Sequence, residues 1–85
     1  MKGEIMIERN IAGLDLFART AEPGVWTVYY GPGLLMKDRK GNAALAALAD
    51  RAWHLAQRGD IFLVQRRCED GCEYLAVKAS PKVIA

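Results

Sequence analysis

Apolar and polar positions along the chain fall into four successive patterns. Glu4-Ile5-Met6-Ile7-Glu8 reads as a short strand or as the lead-in to a helix. Ile11, Leu14, Phe17 and Ala18 then recur at helical spacing. Asn10 stands in the N-cap position before them and Pro23-Gly24 follows, which predicts a helix over 11–20. The run Val25-Trp26-Thr27-Val28-Tyr29-Tyr30 is β-branched and aromatic, and predicts a strand. "GPGLLMKDRKGN" is glycine-rich and predicts a loop, in which Leu34–Met36 forms a helical turn or a brief strand.

The strongest pattern follows. In "AALAALADRAWHLAQRG", Leu45, Leu48, Ala49, Ala52, Leu55 and Ala56 share one helix face. Alanine and leucine are the best helix formers. Asn42 is placed to cap the start, and Gly59 sits just past the end, at the C′ position. The opposite face carries Asp50, Arg51, His54, Gln57 and Arg58. "DIFLVQRR", "CEDG" and "CEYLAVKAS" then read as strand, turn and strand, with Asp70-Gly71 setting the bend. Pro81 is expected to close the pairing, since proline has no N–H to donate, and the apolar end of "PKVIA" is expected to pack.

The order helix, strand, loop, long helix, hairpin predicts a single α+β domain over 1–85. A long helix followed at once by a hairpin is the C-terminal half of a winged helix-turn-helix, with the hairpin as its wing. The main alternative is a mixed α+β domain whose sheet has three strands, "VWTVYY" plus the hairpin. No repeat, low-complexity tract or linker divides the 85 residues, and 52% hydrophobic residues suffice for a core. No apolar run is long enough to span a bilayer, and the first 15 residues lack the apolar centre of a secretory signal, so a cytoplasmic protein is expected.

Charge narrows the functional classes. The net charge is +2 and the pI 8.7. Dedicated DNA-binding domains exceed about pI 9, so this balance permits nucleic-acid binding without demanding it, and it argues against an acidic DNA mimic. Residues 1–33 sum to −1, residues 34–60 to +2 and residues 61–85 to +1. The basic side is therefore the second half. Arg51, His54 and Arg58 lie at i, i+3 and i+7 and could reach phosphates or base edges from a helix in a major groove. Lys37, Arg39 and Lys40 before that helix, with Arg66, Arg67 and Lys78 on the hairpin, could grip backbone phosphates. Against this, the same charges serve as a solvated helix face and as protection for a strand edge. Glu69, Asp70 and Glu73 make the hairpin tip acidic, and phosphate would repel it.

Catalytic and metal chemistry find little support. Cys68, Cys72 and the lone His54 fall short of the four ligands of a structural zinc site. Cytosolic redox conditions oppose a disulfide, so two reduced thiols at strand ends are expected. No phosphate cradle, nucleophile with its base, or cofactor motif accompanies them, and no cofactor and no enzymatic activity are expected. Most of the aromatic residues are expected in the core, with Trp26, Tyr29 or Tyr30 as the alternative exposed anchor of an interface.

"VYYGPGLL", the basic loop "KDRKGN", the alanine-rich helix and a hairpin of the form "LVQRR…G…EYLAV" together resemble small proteins of proteobacterial phages and prophages. The resemblance covers roughly residues 26–78 and leaves the first 25 outside. It implies a winged-helix-like protein in a bacterial host cell that binds nucleic acid or a host protein complex, some such proteins being inhibitors of CRISPR–Cas interference. Two functions are thus expected to compete. One is a small regulator on double-stranded DNA, as a homodimer. The other is an inhibitor that binds a host nucleoprotein complex and blocks its nucleic-acid site. No membrane partner is expected.

Overall fold

The computed structural model describes residues 2–80. The elements are α1 (Ile11–Thr20), β1 (Trp26–Gly33), α2 (Leu35–Asp38), α3 (Ala43–Gln57), β2 (Ile61–Cys68) and β3 (Gly71–Lys78). The chain is a small α+β domain in which helices pack on a three-stranded antiparallel sheet of order β1-β3-β2. The expected β1 starts one residue after Val25, runs three residues past Tyr30 and joins the hairpin, as in the mixed-sheet alternative. Leu34–Met36 contributes to the one-turn α2. Residues 4–8 form no full strand. Glu4 makes a parallel bridge to Trp26, and the backbone of residues 2–5 lies along the start of β1. Pro81 and the apolar tail lie outside the described residues.

Local chemistry accounts for the helix ends. The Asn10 side chain accepts the Gly13 N–H at 2.8 Å, and the Asn42 side chain accepts the Leu45 N–H at 3.0 Å. Each satisfies one orphan donor of a first turn. Helix α3 closes with Asp60 N–H bonded to Leu55 C=O and Gly59 N–H bonded to Ala56 C=O, both at 3.0 Å. Gly59 holds φ at +82° there, a conformation that a Cβ disfavours. This end delivers Asp60 directly into β2.

The hairpin turn is one residue earlier than Asp70-Gly71. Cys68 pairs with Gly71, so Glu69 and Asp70 occupy the bend. Gly71 takes the positive φ of +129°, and a Cβ on it would lie 2.9 Å from the Gly33 carbonyl oxygen. Glycine is needed because the end of β1 passes that close to the turn.

The sheet buries both faces unequally. Its inner face packs Tyr29, Ala76 and Ile61 against Leu14, Phe17 and Ala18 of α1 and Leu45, Leu48, Ala52 and Leu55 of α3. The outer face carries Trp26 and Val28, then Leu75 and Val77, then Phe62 and Val64, as the register pairs them. Arg66 places its guanidinium 5.1 Å from the centre of the Trp26 ring. Trp26 lies opposite Val77 and Arg66 opposite Glu73, so the two long side chains meet across the row of Leu75, which is fully buried. Thr27, also fully buried, leaves its hydroxyl without a partner among the described residues.

Candidate functional site

The nine expected basic residues do not form one surface. Lys78 sits at the base of the hairpin, opposite Ile61, and Arg67 near its tip, opposite Cys72. Six residues of extended chain separate those two rows, roughly 20 Å. Lys78 donates from Nζ to the Ala18 carbonyl at the end of α1. It lines a cleft with Arg19, Arg51, Arg58, Asp15 and Asp60. Arg51 turns toward α1 and pairs with Asp15 at 2.6 Å, while Arg58 caps α3 and pairs with Asp60 at 3.3 Å. Of the i, i+3, i+7 set, Arg51 and Arg58 thus share the cleft with Lys78, while His54 is exposed and is not among its lining residues.

Two further arginines are also paired. Arg39 bonds to Asp50 at 2.7 Å, and Arg66 to Glu73 at 2.5 Å. Ion pairs this exposed are weak and could exchange for phosphate. Their positions still divide the charge. Arg66 and Arg67 are neighbours on an extended strand and point to opposite faces of the sheet, so they do not grip one ligand together. Lys37, Lys40, His54 and Arg67 have no carboxylate partner among the described residues. The start of α3, where a recognition helix would read bases, exposes Ala43, Ala44 and Ala47. None of these can donate to a base edge.

The cysteines are free and lie on opposite faces of the hairpin. Cys72 faces inward and accepts from Gln65 Nε2 at 3.2 Å, whereas Cys68, opposite Gly71, shares the outer face with Arg66. Their directions do not suit a mutual bond. No group of three His, Cys, Asp or Glu among the described residues could hold a metal ion. No helix of those residues is long and apolar enough to cross a membrane.

What the fold does gather is exposed apolar surface. Met36 on α2 is 72% exposed, Trp53 on α3 59%, and Phe62, Leu63 and Val64 on β2 61%, 37% and 39%. Met36, Trp53, Leu63 and Val64 line one groove of about 560 Å³, floored by Tyr29, Leu35 and Tyr74 and edged by Arg39, Asp50 and Gln65. Trp53 is an exposed aromatic residue that sequence reasoning missed. Its place at the boundary of the leucine face was the available signal, since a boundary residue is buried only if a neighbour covers it. Trp26 and Tyr30 are half-buried and Tyr29 is buried.

A polar lattice fixes the α2 side of this groove. Tyr30 Oη donates to Asp38 at 2.5 Å, Leu34 N–H donates to the same carboxylate at 3.1 Å, and Leu35 N–H donates to Tyr74 Oη at 3.0 Å. The Tyr30 and Tyr74 rings lie 6.0 Å apart, tilted by 40°. The hydrogen bond from Tyr30 and the Leu34 N–H hold the Asp38 carboxyl below the usual carboxylate range. The bond to Asp38 raises the Tyr30 phenol in turn. Burial, with Tyr74 beside it, pushes Tyr29 up to about 12. No family model, curated protein or solved structure matches this chain.

Proposed function

We propose that this chain is a non-catalytic binding module whose partner is a protein, engaged through the groove between α2, α3 and β2. The observation that carries this reading is the exposure of Trp53 and Met36 over a floor of Tyr29, Leu35 and Tyr74, in which Leu35 N–H bonds to Tyr74 Oη. Large apolar side chains held out on a fixed frame are the usual anchors of protein interfaces. Lys37 and Lys40 follow Met36 along the chain, and Arg67 shares the inner face of the hairpin. The partner surface would offer an apolar pocket with an acidic rim. The frame is winged-helix-like in this reading: α3 runs straight into the β2–β3 hairpin, and β1 joins it as a third strand. An inhibitor that covers part of a host nucleoprotein complex in a bacterial cytoplasm is the form implied by the phage resemblance.

Duplex DNA is the second reading, favoured by Lys37 and Lys40 just before α3, which have no carboxylate partner among the described residues. The two part experimentally. Wild type, Trp53→Ala and the Lys37→Ala, Lys40→Ala pair would be compared by gel shift on random duplex at low salt, beside affinity capture from bacterial lysate. The protein-partner reading expects no duplex shift and a captured component lost by Trp53→Ala. A shift that weakens with salt, survives Trp53→Ala and disappears in the lysine pair would replace it with the DNA reading. The Arg66→Ala, Arg67→Ala double variant is expected to reduce capture less than Trp53→Ala, because only Arg67 faces the groove side.

A further inference from the structure

The free edge of β2 belongs to neither reading. The direction of its backbone groups follows from the bonds at its base. Ala79 N–H donates to Asp60 C=O, while Lys78 exchanges bonds with Val25 and Gly24 on the β1 side. In an antiparallel ladder these directions alternate residue by residue. Asp60, Phe62, Val64 and Arg66 therefore bond toward β3, and Ile61, Leu63, Gln65 and Arg67 point their N–H and C=O groups out at the edge. None of these four has a backbone partner elsewhere among the described residues.

This edge carries protective charge only toward its tip, at Arg66 and Arg67. It runs eight residues in unbroken register, with no proline and no bulge, and carries Phe62, Leu63 and Val64 at its middle. Such an edge is a template for another strand. We infer that the strand it takes is β2 of a second copy of this chain, antiparallel and centred on Leu63. The sequence is self-complementary in that register. Leu63 meets Leu63, Phe62 meets Val64, and Asp60 meets Arg66. Leu63–Leu63 share the inner face and Phe62–Val64 the outer one, as a two-fold axis through the sheet requires, while Asp60, one residue before β2, would exchange its own-chain partner Arg58 for Arg66 of the second copy. Phe62–Val64 and Asp60–Arg66 fall at the non-hydrogen-bonded sites, where side chains approach most closely. Centring on Val64 instead would set Phe62 against Arg66.

The pairing adds about six backbone hydrogen bonds and makes a six-stranded sheet of order β1-β3-β2-β2-β3-β1. Both Leu63 side chains lie on its inner face, so the grooves of the two copies run together. The guanidinium of Arg66 retains donors for a second carboxylate beyond Glu73.

Sedimentation equilibrium of the full chain over about 1–300 µM tests this. The expected mass rises from 9.4 kDa toward twice that value. Asp60→Arg and Arg66→Asp each raise the dimer dissociation constant about tenfold, and the two together bring it back. Gln65→Pro removes an outward N–H and leaves every backbone bond to β3 in place, at the loss of the side-chain bond to Cys72, and gives a monomer whose circular dichroism matches wild type. Trp53→Ala leaves the dimer unchanged. The inference is overturned by a wild-type monomer throughout that range, by charge reversals that move nothing or fail to rescue one another, or by loss of the dimer in Trp53→Ala. That last result would seat the second copy in the groove. A monomeric wild type would leave the groove reading intact.

Discussion

β1 and β2 both pair antiparallel with β3, and both are rich in β-branched and aromatic residues, yet they live in different surroundings. Residues 27–29 of β1 are buried. Its edge is blunted at several points. Residues 2–5 bond along its start, Arg9 Nη1 donates to Gly31 C=O, the register shifts twice, and Pro32 lies within it. β2 is buried only at Ile61, and nothing among the described residues covers its edge. Apolar strand sequence thus has two uses here. In β1 it fills a core, and in β2 it is held out for something else. The difference comes from neighbours: Tyr29 of β1 joins the buried cluster formed with α1 and α3, whereas β2 contributes only Ile61 to it.

Paired substitutions on the two strands break or sharpen the contrast. The largest effect is expected from Tyr29→Ala, which empties a buried aromatic site and costs about 3 kcal/mol or more. Phe62→Ala, on the exposed strand, costs less than about 1 kcal/mol. Urea unfolding of both variants measures the gap, and equal losses would mean that β2 is as buried as β1. A smaller effect of opposite sign is expected at Thr27. Replacing it with valine exchanges an unpartnered hydroxyl for a methyl, and stabilises by about 1 kcal/mol. The reverse exchange on the other strand, Val64→Thr, changes stability by under about 0.5 kcal/mol.

The smallest effect is pH-dependent. The Asp38 carboxyl titrates lower in the folded chain than in the unfolded one. Its contribution is therefore complete above about pH 4, the unfolded value, and is lost as pH falls through the lowered folded value. Asp38→Asn should flatten the acid limb of the stability curve in that window and loosen α2, hence Met36. Parallel acid limbs for variant and wild type would remove Asp38 from this role.

Much of the architecture was legible from local chemistry. Asn10, Asn42 and Gly59 mark the helix ends because capping is a short-range effect, and the 3.6 period marks the buried face of α3. The three-stranded sheet is one of the two arrangements the sequence pattern allows, since the β-branched and aromatic run "VWTVYY" favours a strand. The site was less legible because it depends on distant residues. Arg51 turns aside for Asp15, 36 positions earlier. Arg66 is drawn to Glu73 and over Trp26. The run Ile61–Val64 reads as core in any local window, and only the sheet order puts it at an edge.

Amide hydrogen exchange along β2, followed against protein concentration, tests the open edge most directly. The account predicts slow exchange at Phe62 and Val64 at every concentration, because their N–H groups bond to β3. It predicts fast exchange at Leu63 and Gln65 in dilute solution, slowing as the concentration rises. Slow exchange at Leu63 and Gln65 in the dilute monomer, or fast exchange that concentration leaves unchanged, would contradict it.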